Sequence, residues 1–447
     1  MRKYDAILSD MEEKIKNQQY KPGHKLPSVR RAAAIYNCSI STITRAYTEL
    51  EKRHAIYSIP QSGFYVVDIL GNSCHDIDDD RIDFASASPD INVFPYLDFQ
   101  HCLNKAIDIY KYNLFTYGDT HGLDKLRHTL VSHLASDQVF APAARIFITS
   151  GIQPVLEMLS NMDFPGSGTT ILVEQPGYDI YLRYLENKNI PVVGIARTAA
   201  GIDLEVLEAH FKSGNIKFFY TMPRYQNPLG TTLSAAERKA IAELATKYDI
   251  FIIEDDYMAD LGALRNYEPI FAYNRSSHVI YVKSFSKIIF PGLRLGVAVL
   301  PDCLISKFKD ASRYGDTSLL SQAALEVYIN NGMYERHKHK IIKQYKERIQ
   351  LLNEAVARHN EAELIEIPDI HSGIYIQFKL PHKVNLEQFI KRLANRNVHV
   401  VSGRGFYLNE YAEREKFIRI SISRAKSASI DDGVKAIIEE VKQAIRW

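Results

Sequence analysis

A lysine flanked by hydroxyl side chains stands in Ser284-Phe285-Ser286-Lys287, followed closely by Pro291-Gly292-Leu293-Arg294. Lysine can condense with an aldehyde to an imine, while Ser284, Ser286 and Arg294 can bind a phosphate dianion. A solvated surface lysine is the ordinary alternative, and an arginine at this spacing argues against it. Upstream, the apolar run Ile252-Ile253 ends in Glu254-Asp255-Asp256-Tyr257. One of these carboxylates can bond a pyridine nitrogen and keep it protonated, which makes the ring an electron sink. Acids at a strand end otherwise face water, and that is the expectation for Asp256 and Glu254. Asn227, in Pro223-Arg224-Tyr225-Gln226-Asn227-Pro228, can donate to a phenolic oxygen, although Asn-Pro is also an ordinary turn. Thr149-Ser150-Gly151-Ile152-Gln153 reads as a strand turning into a helix, whose first backbone N–H groups suit a phosphate.

These residues need elements to carry them. From Asp83 onward, apolar runs at 145–149, 170–174, 218–222, 250–254 and 279–282 alternate with helical patterns such as 235–248. That alternation predicts an α/β domain with a mostly parallel sheet, which binds its ligands at the strand ends. Beyond Pro301 a long helix is expected over 318–359, then β-rich pieces at 374–380 and 417–423. Residues from about 301 to 447 thus read as a smaller α+β subdomain. A chain of 447 residues exceeds one compact core, and its 46% hydrophobic content can fill more than one. The four cysteines form no CxxC pair, which argues against a zinc site or disulfide framework and for a reducing cytoplasm. No apolar signal-peptide core follows Met1, and no run approaches the ~20 apolar residues that cross a bilayer.

The first 67 residues are basic, with 11 Lys/Arg against 6 Asp/Glu. Asp68, Asp76, Asp78, Asp79 and Asp80 then form an acidic link. Ile7, Leu8, Met11 and Ile15 make one helical stripe. A second helix is expected from Pro27 or Ser28 to Tyr36, and a third over about 41–53 behind the cap Ser39. Residues 56–59 and 64–67 flank the turn Gln61-Ser62-Gly63 as a hairpin. Three helices and a hairpin in this order describe a winged helix-turn-helix. Its third helix would offer Ser39, Ser41, Thr42, Thr44 and Arg45 to phosphates and base edges, with Arg30 able to grip guanine. Capping and solvation alone would also account for the Ser and Thr residues.

The head motifs Pro22-Gly23, Leu26-Pro27-Ser28-x-Arg30, Ser39-x-Ser41-Thr42 and Gly63-x-Tyr65-Val66 resemble the GntR-type DNA-binding domain. Ile40 departs from it, since the family commonly has Arg there. The four body motifs, in their order and spacing, resemble fold type I pyridoxal-phosphate enzymes, the aminotransferase fold, over roughly residues 83–447. That resemblance implies pyridoxal 5′-phosphate as a Schiff base on Lys287. It implies Asp255 at the pyridine nitrogen, with Tyr257 and Asn227 near the ring oxygen and Tyr178 packed on the ring. Gly151, Ile152, Ser284, Ser286 and Arg294 would hold the phosphate, and Tyr117 would reach the phosphate of a neighbouring subunit. Arg419 would grip an amino-acid carboxylate; an exposed arginine on an edge strand is the alternative.

A GntR-type head on an aminotransferase-like body resembles the MocR/GabR transcription regulators. The implied map is a winged helix-turn-helix over 1–68, a linker over 69–81 and the body over 82–447. The resemblance further implies a domain-swapped homodimer on double-stranded promoter DNA. Its signal would be pyridoxal phosphate, or an amino compound that forms an aldimine by displacing Lys287. At ~3.3 Å per residue the linker spans up to roughly 40 Å, enough to reach a partner subunit. Some family members carry Arg where Ile180 stands, for a second carboxylate, so Ile180 argues against that ligand. A working aminotransferase with a secondary head is the competing reading, with weak transamination expected at most if the chain is a regulator.

Overall fold

The computed structural model describes residues 3–446 except 18, 22, 54, 60, 61, 68–80, 262–266, 275, 276, 314–316 and 370. It divides into two compact units, Met1–Asp79 and Asp80–Trp447. The expected linker over 69–81 lies outside the described residues except for Arg81, as do Pro22 and Gln61 of the head motifs.

In the first unit, helices α1 (Lys3–Lys16), α2 (Val29–Ile35) and α3 (Ile40–Lys52) precede a hairpin of β1 (Ile56–Ile59) and β2 (Gly63–Val66). The predicted stripe closes the core: Ile7, Leu8 and Met11 pack with Ala32, Ile43, Ala46, Leu50, Ile56 and Val66. Ser28 and Ser39 start the second and third helices by accepting the Arg31 and Thr42 N–H groups at 3.3 and 3.2 Å. Tyr47 is buried, and its hydroxyl donates to Pro27 O at 2.8 Å, which ties α3 to the turn before α2. The winged helix-turn-helix order is the one expected.

The second unit opens with β3 (Ile82–Asp83). A sheet of eight strands follows, in the order β4 (Ile146–Thr149), β11 (Gly296–Val299), β10 (Val279–Ser284), β9 (Phe251–Asp255), β8 (Ile216–Thr221), β5 (Thr170–Gln175), β6 (Val192–Thr198), β7 (Gly201–Ile202). Strands β10, β9, β8, β5 and β6 are parallel neighbours, and β11 runs against both β10 and β4. Almost all residues of β10, β9, β8 and β5 are buried on both faces, hence the apolar runs in the sequence, while β6 is partly open. Connecting helices carry their own start signals; Ser234 and Glu237 make a capping box for the helix Ala235–Tyr248.

A second sheet has the order β12 (Tyr375–Lys379), β15 (Phe417–Ser421), β14 (Val401–Ser402). Separately, β3 pairs in parallel with β13 (Val398–His399), so the chain just past the linker joins the C-terminal α+β part. The single helix expected over 318–359 is two, Leu319–Asn330 and Met333–His359. Gly332 between them has φ +69°, a conformation that ends a helix at little cost only for glycine.

The expectation that Glu254 and Asp256 face water is overturned. Strand alternation turns both away from Asp255, into the packed interior, where each is 0% exposed. Asp256 binds Arg224 through both oxygens (Nε to Oδ1 2.8 Å) and accepts from Tyr281 at 2.9 Å. Glu254 accepts the Ile270 and Phe271 N–H groups at 2.9 and 2.8 Å. Replacing Asp256 by Ala leaves a buried guanidinium uncompensated. We expect the body to lose about 3–5 kcal/mol, read as a lower midpoint in chemical denaturation.

Candidate functional site

Strand register builds the site. Gly296 pairs with Thr149 on one side and with Ser284 on the other. The three strand ends therefore set Gly151, Arg294 and Ser284 side by side at one edge. Parallel strands β10, β9, β8 and β5 end at the same edge, and their exits carry Lys287, Asp255, Asn227 and Tyr178. These residues line one cavity of about 230 Å³, together with Ile152, Gln153, Ile180, Met222, Tyr257, Ser286, Pro291 and Tyr375. The structure thus brings together ten of the predicted body residues. Two do not line the cavity: Arg419 lies just behind it, and Tyr117 is 95% exposed.

One end of the cavity suits an anion. Gly151 has φ +95° and precedes the helix Ile152–Asn161, which has no side-chain cap on its first N–H groups. That φ favours glycine, and a Cβ there would sit a tight 3.3 Å from the Arg294 guanidinium. Arg294 donates to Ser150 O at 3.0 Å, which holds its charge at the helix start. Helix N–H groups, two serines and an arginine are the donor set a phosphate dianion requires.

At the other end Asp255 is 3% exposed. Its Oδ2 accepts from Tyr220 at 2.7 Å, while Oδ1 is buried without a well-formed hydrogen bond. Burial pushes its carboxyl up to about 7, against the pull of the Tyr220 hydroxyl and the Tyr257 backbone N–H. A ligand cation beside Oδ1 would favour the ionised form. Tyr178 is held by Gln153 Nε2, which donates to its hydroxyl at 2.9 Å. Tyr257 gives its hydroxyl proton to Tyr225 O at 2.7 Å, so it faces the cavity with lone pairs.

Lys287 Nζ donates to Ala87 O at 2.6 Å and to Tyr375 Oη at 3.3 Å. Neither partner carried a sequence signal: one is a backbone carbonyl, the other a tyrosine in an apolar strand. Arg419 lies on the middle strand of the small sheet and is 6% exposed, which removes the exposed-edge alternative. It donates to Asn227 Oδ1 at 3.2 Å and to Ala85 O at 2.7 Å, and its Nε has no partner. Asn227 thus keeps its amide N–H groups for another acceptor. A second lysine, Lys283, is buried on β10 against Asp137, Asp260 and His133 at 2.6, 3.0 and 3.2 Å. Its charge is fully engaged there, away from the cavity.

In the first unit, Arg30, Ser39, Ser41, Thr44 and Arg45 are exposed and Thr42 is half-buried. Ser39 Oγ lies 2.8 Å from both Ser41 Oγ and Thr42 Oγ1, a hydroxyl cluster at the start of α3. Thr44 donates back to Ile40 O at 3.0 Å, and the Arg45 guanidinium stacks 4.8 Å from the Tyr4 ring centre. Gly63 opens β2 with φ +123°.

The Asp255 carboxyl titrates higher in the folded than in the unfolded chain. Between its ordinary value and about 7 the folded state holds the extra proton, so the stability it contributes falls as pH rises. Asp255→Asn should therefore stabilise cofactor-free protein at pH 8, by on the order of 2 kcal/mol, and less at pH 5.5. Denaturation curves at both pH values check this.

The aminotransferase class I and II family model matches residues 90–437, and that of the bacterial regulatory proteins of the gntR family matches residues 3–66. The HTH-type transcriptional regulator YcxD of Bacillus subtilis is 44% identical over 99% of this chain and 100% of its own. The kynurenine aminotransferase of Pyrococcus horikoshii superposes with a TM-score of 0.75 at 28% identity, over 81% of this chain and 91% of its own. A multiple substrate aminotransferase of Thermococcus profundus gives 0.75 at 26% identity, over 82% and 92%. Pyridoxal phosphate is the cofactor implied by this fold, and the anion cradle, the primary amine and the unpaired Asp255 oxygen fit it. No helix among the described residues is long and apolar enough to cross a membrane. The chain belongs to the MocR/GabR-type transcription regulators, in which a GntR-type DNA-binding domain precedes an aminotransferase class I and II domain.

Proposed function

We propose that this regulator binds promoter DNA through its head and reads pyridoxal phosphate, or an amino compound that exchanges with Lys287, through its body. Bound there, the cofactor supplies an aldehyde that condenses with amines and a ring that accepts electrons. Lys287 holds it covalently, and Asp255 keeps the ring nitrogen protonated. Tyr178 packs on the ring, and Asn227 and Tyr257 approach its oxygen. Gly151, Ile152, Ser284, Ser286 and Arg294 hold the phosphate. Arg419 takes the carboxylate of an amino compound through the free Nε. Tyr117, open on this chain, reaches the phosphate in a second copy, and the working form is a homodimer in the cytoplasm.

One observation carries the regulatory reading. The two cations that would grip the ligand, Lys287 and Arg419, donate to Ala87 O and Ala85 O. Those carbonyls belong to the chain that emerges from the linker to the head. The same stretch is bound again by Ser423, which donates to Ser86 O at 2.7 Å, and by the pairing of β3. A ligand that takes the hydrogen bonds of Lys287 or Arg419 therefore competes with this segment. Such a ligand shifts the DNA-binding equilibrium by its different affinity for the two states. A pure aminotransferase has no use for a complete winged helix at the other end of that segment.

On the head, Ser28, Arg30, Ser39, Ser41, Thr42, Thr44, Arg45 and Gly63 form the DNA-facing set. Arg30 contacts a base, and the hydroxyl cluster with the helix start contacts phosphates.

Two outcomes test this. Lys287→Ala should lose the absorbance band of bound pyridoxal phosphate in the violet to blue; a band that persists removes Lys287 as its carrier. Arg30→Ala should weaken binding to the gene's own promoter by on the order of 10-fold in fluorescence anisotropy. Unchanged affinity takes Arg30 out of the interface, and turnover of amino acids with no DNA binding at all favours the enzyme reading.

A further inference from the structure

Lys287 has two hydrogen-bond partners of different kinds. The Ala87 carbonyl is fixed in the backbone and accepts at 2.6 Å; the Tyr375 hydroxyl is a side-chain group at 3.3 Å. A primary amine can turn about its Cε–Nζ bond, and one acceptor, which pins a single N–H, does not stop the second hydrogen and the lone pair from exchanging places by inversion. Two do. With both N–H bonds of the neutral amine engaged, the tetrahedral nitrogen leaves one direction for its lone pair.

Tyr375 is held firmly enough to serve as that second point. It is 2% exposed on β12 and lies against Tyr257, with ring centres 6.4 Å apart and planes 26° apart. The Arg419 guanidinium packs 4.5 Å from its ring centre. Both the ring and the hydroxyl face groups of the site, and the tyrosine belongs to none of the motifs that mark the site in sequence.

We propose that Tyr375 is a positioning residue for Lys287: its hydroxyl fixes the rotation of the ε-amine so that the lone pair meets the cofactor's aldehyde carbon. In that step the Nζ lone pair forms the C–N bond, and the aldehyde oxygen leaves as water. The water carries both amine hydrogens, and a C=N bond remains. Its second task is to hold the amine in the same attitude whenever an amino compound has displaced it. The inference rests on the reading of Lys287 as the cofactor lysine.

The test is stopped-flow mixing of full-length cofactor-free protein with pyridoxal phosphate, following the absorbance band. In Tyr375→Phe, which keeps the ring against Arg419, the rate at saturating cofactor should fall about tenfold. The half-saturating concentration should change less than twofold. Tyr375→His, which returns a hydrogen-bonding atom to that place, should recover part of the rate. An unchanged saturating rate in both variants overturns the proposal. So does a parallel loss of rate and affinity, which marks a merely structural role. If Tyr375→Phe does not fold, the histidine variant decides alone, since a rate no higher than that of Tyr375→Leu overturns the proposal as well. Wild-type protein that forms no band at all would refute the reading of Lys287 instead, so the two failures are distinguishable.

Discussion

Keeping Asp255 in the interior with one oxygen unpaired costs free energy that the chain itself returns only in part. Burial alone drives its carboxyl toward the neutral form, and the tyrosine that donates to its other oxygen offsets only part of this. A protonated ring nitrogen of the cofactor would supply the missing partner. In the proposed function Asp255 at the end of β9 would hold the ring nitrogen, the anion cradle at β4, β11 and β10 would take the phosphate, and Lys287 would take the aldehyde. The sheet fixes these three points, because they sit at the ends of neighbouring strands whose registers leave no freedom to slide.

The far side of the cavity is built differently. Tyr375 of the small sheet lines it, and Arg419 of the same sheet and Lys287 are hydrogen-bonded to the Ala85 and Ala87 carbonyls just past the linker. Ser421 donates its N–H to Phe84 O at 2.8 Å, so this stretch is woven into the small sheet's surroundings by backbone bonds as well. In the proposed function, a site whose lysine is hydrogen-bonded to this stretch would report its occupancy along the chain. A regulator needs this property, and an ordinary enzyme does not.

Much of this was legible in sequence, and the reasons are local. Lys287, the acid at the strand end and the glycine at the helix start each sit in a short segment whose residue types suffice to suggest their chemistry. The helix Ala235–Tyr248 declares itself through its capping box. What escaped notice depends on partners far apart in the chain. Asp256 looks like a solvated strand-end acid until Arg224, 32 residues earlier, turns it into half of a buried pair. Ala85 and Ala87 act through carbonyl oxygens that every residue carries. Tyr375 reads as one more apolar strand residue, because its contact with Lys287 spans 88 positions. The break at Gly332 was readable, since Asn331-Gly332 is a common helix end, but the helical pattern on both sides masked it.

In the proposed function, cofactor on Lys287 changes how the head holds DNA. The most direct measurement is the affinity of full-length protein for its promoter, with and without pyridoxal phosphate, beside the same titration of Lys287→Ala. A several-fold change is expected on adding the cofactor to the wild type and none in the variant. Equal affinities for the loaded and cofactor-free wild type would contradict it.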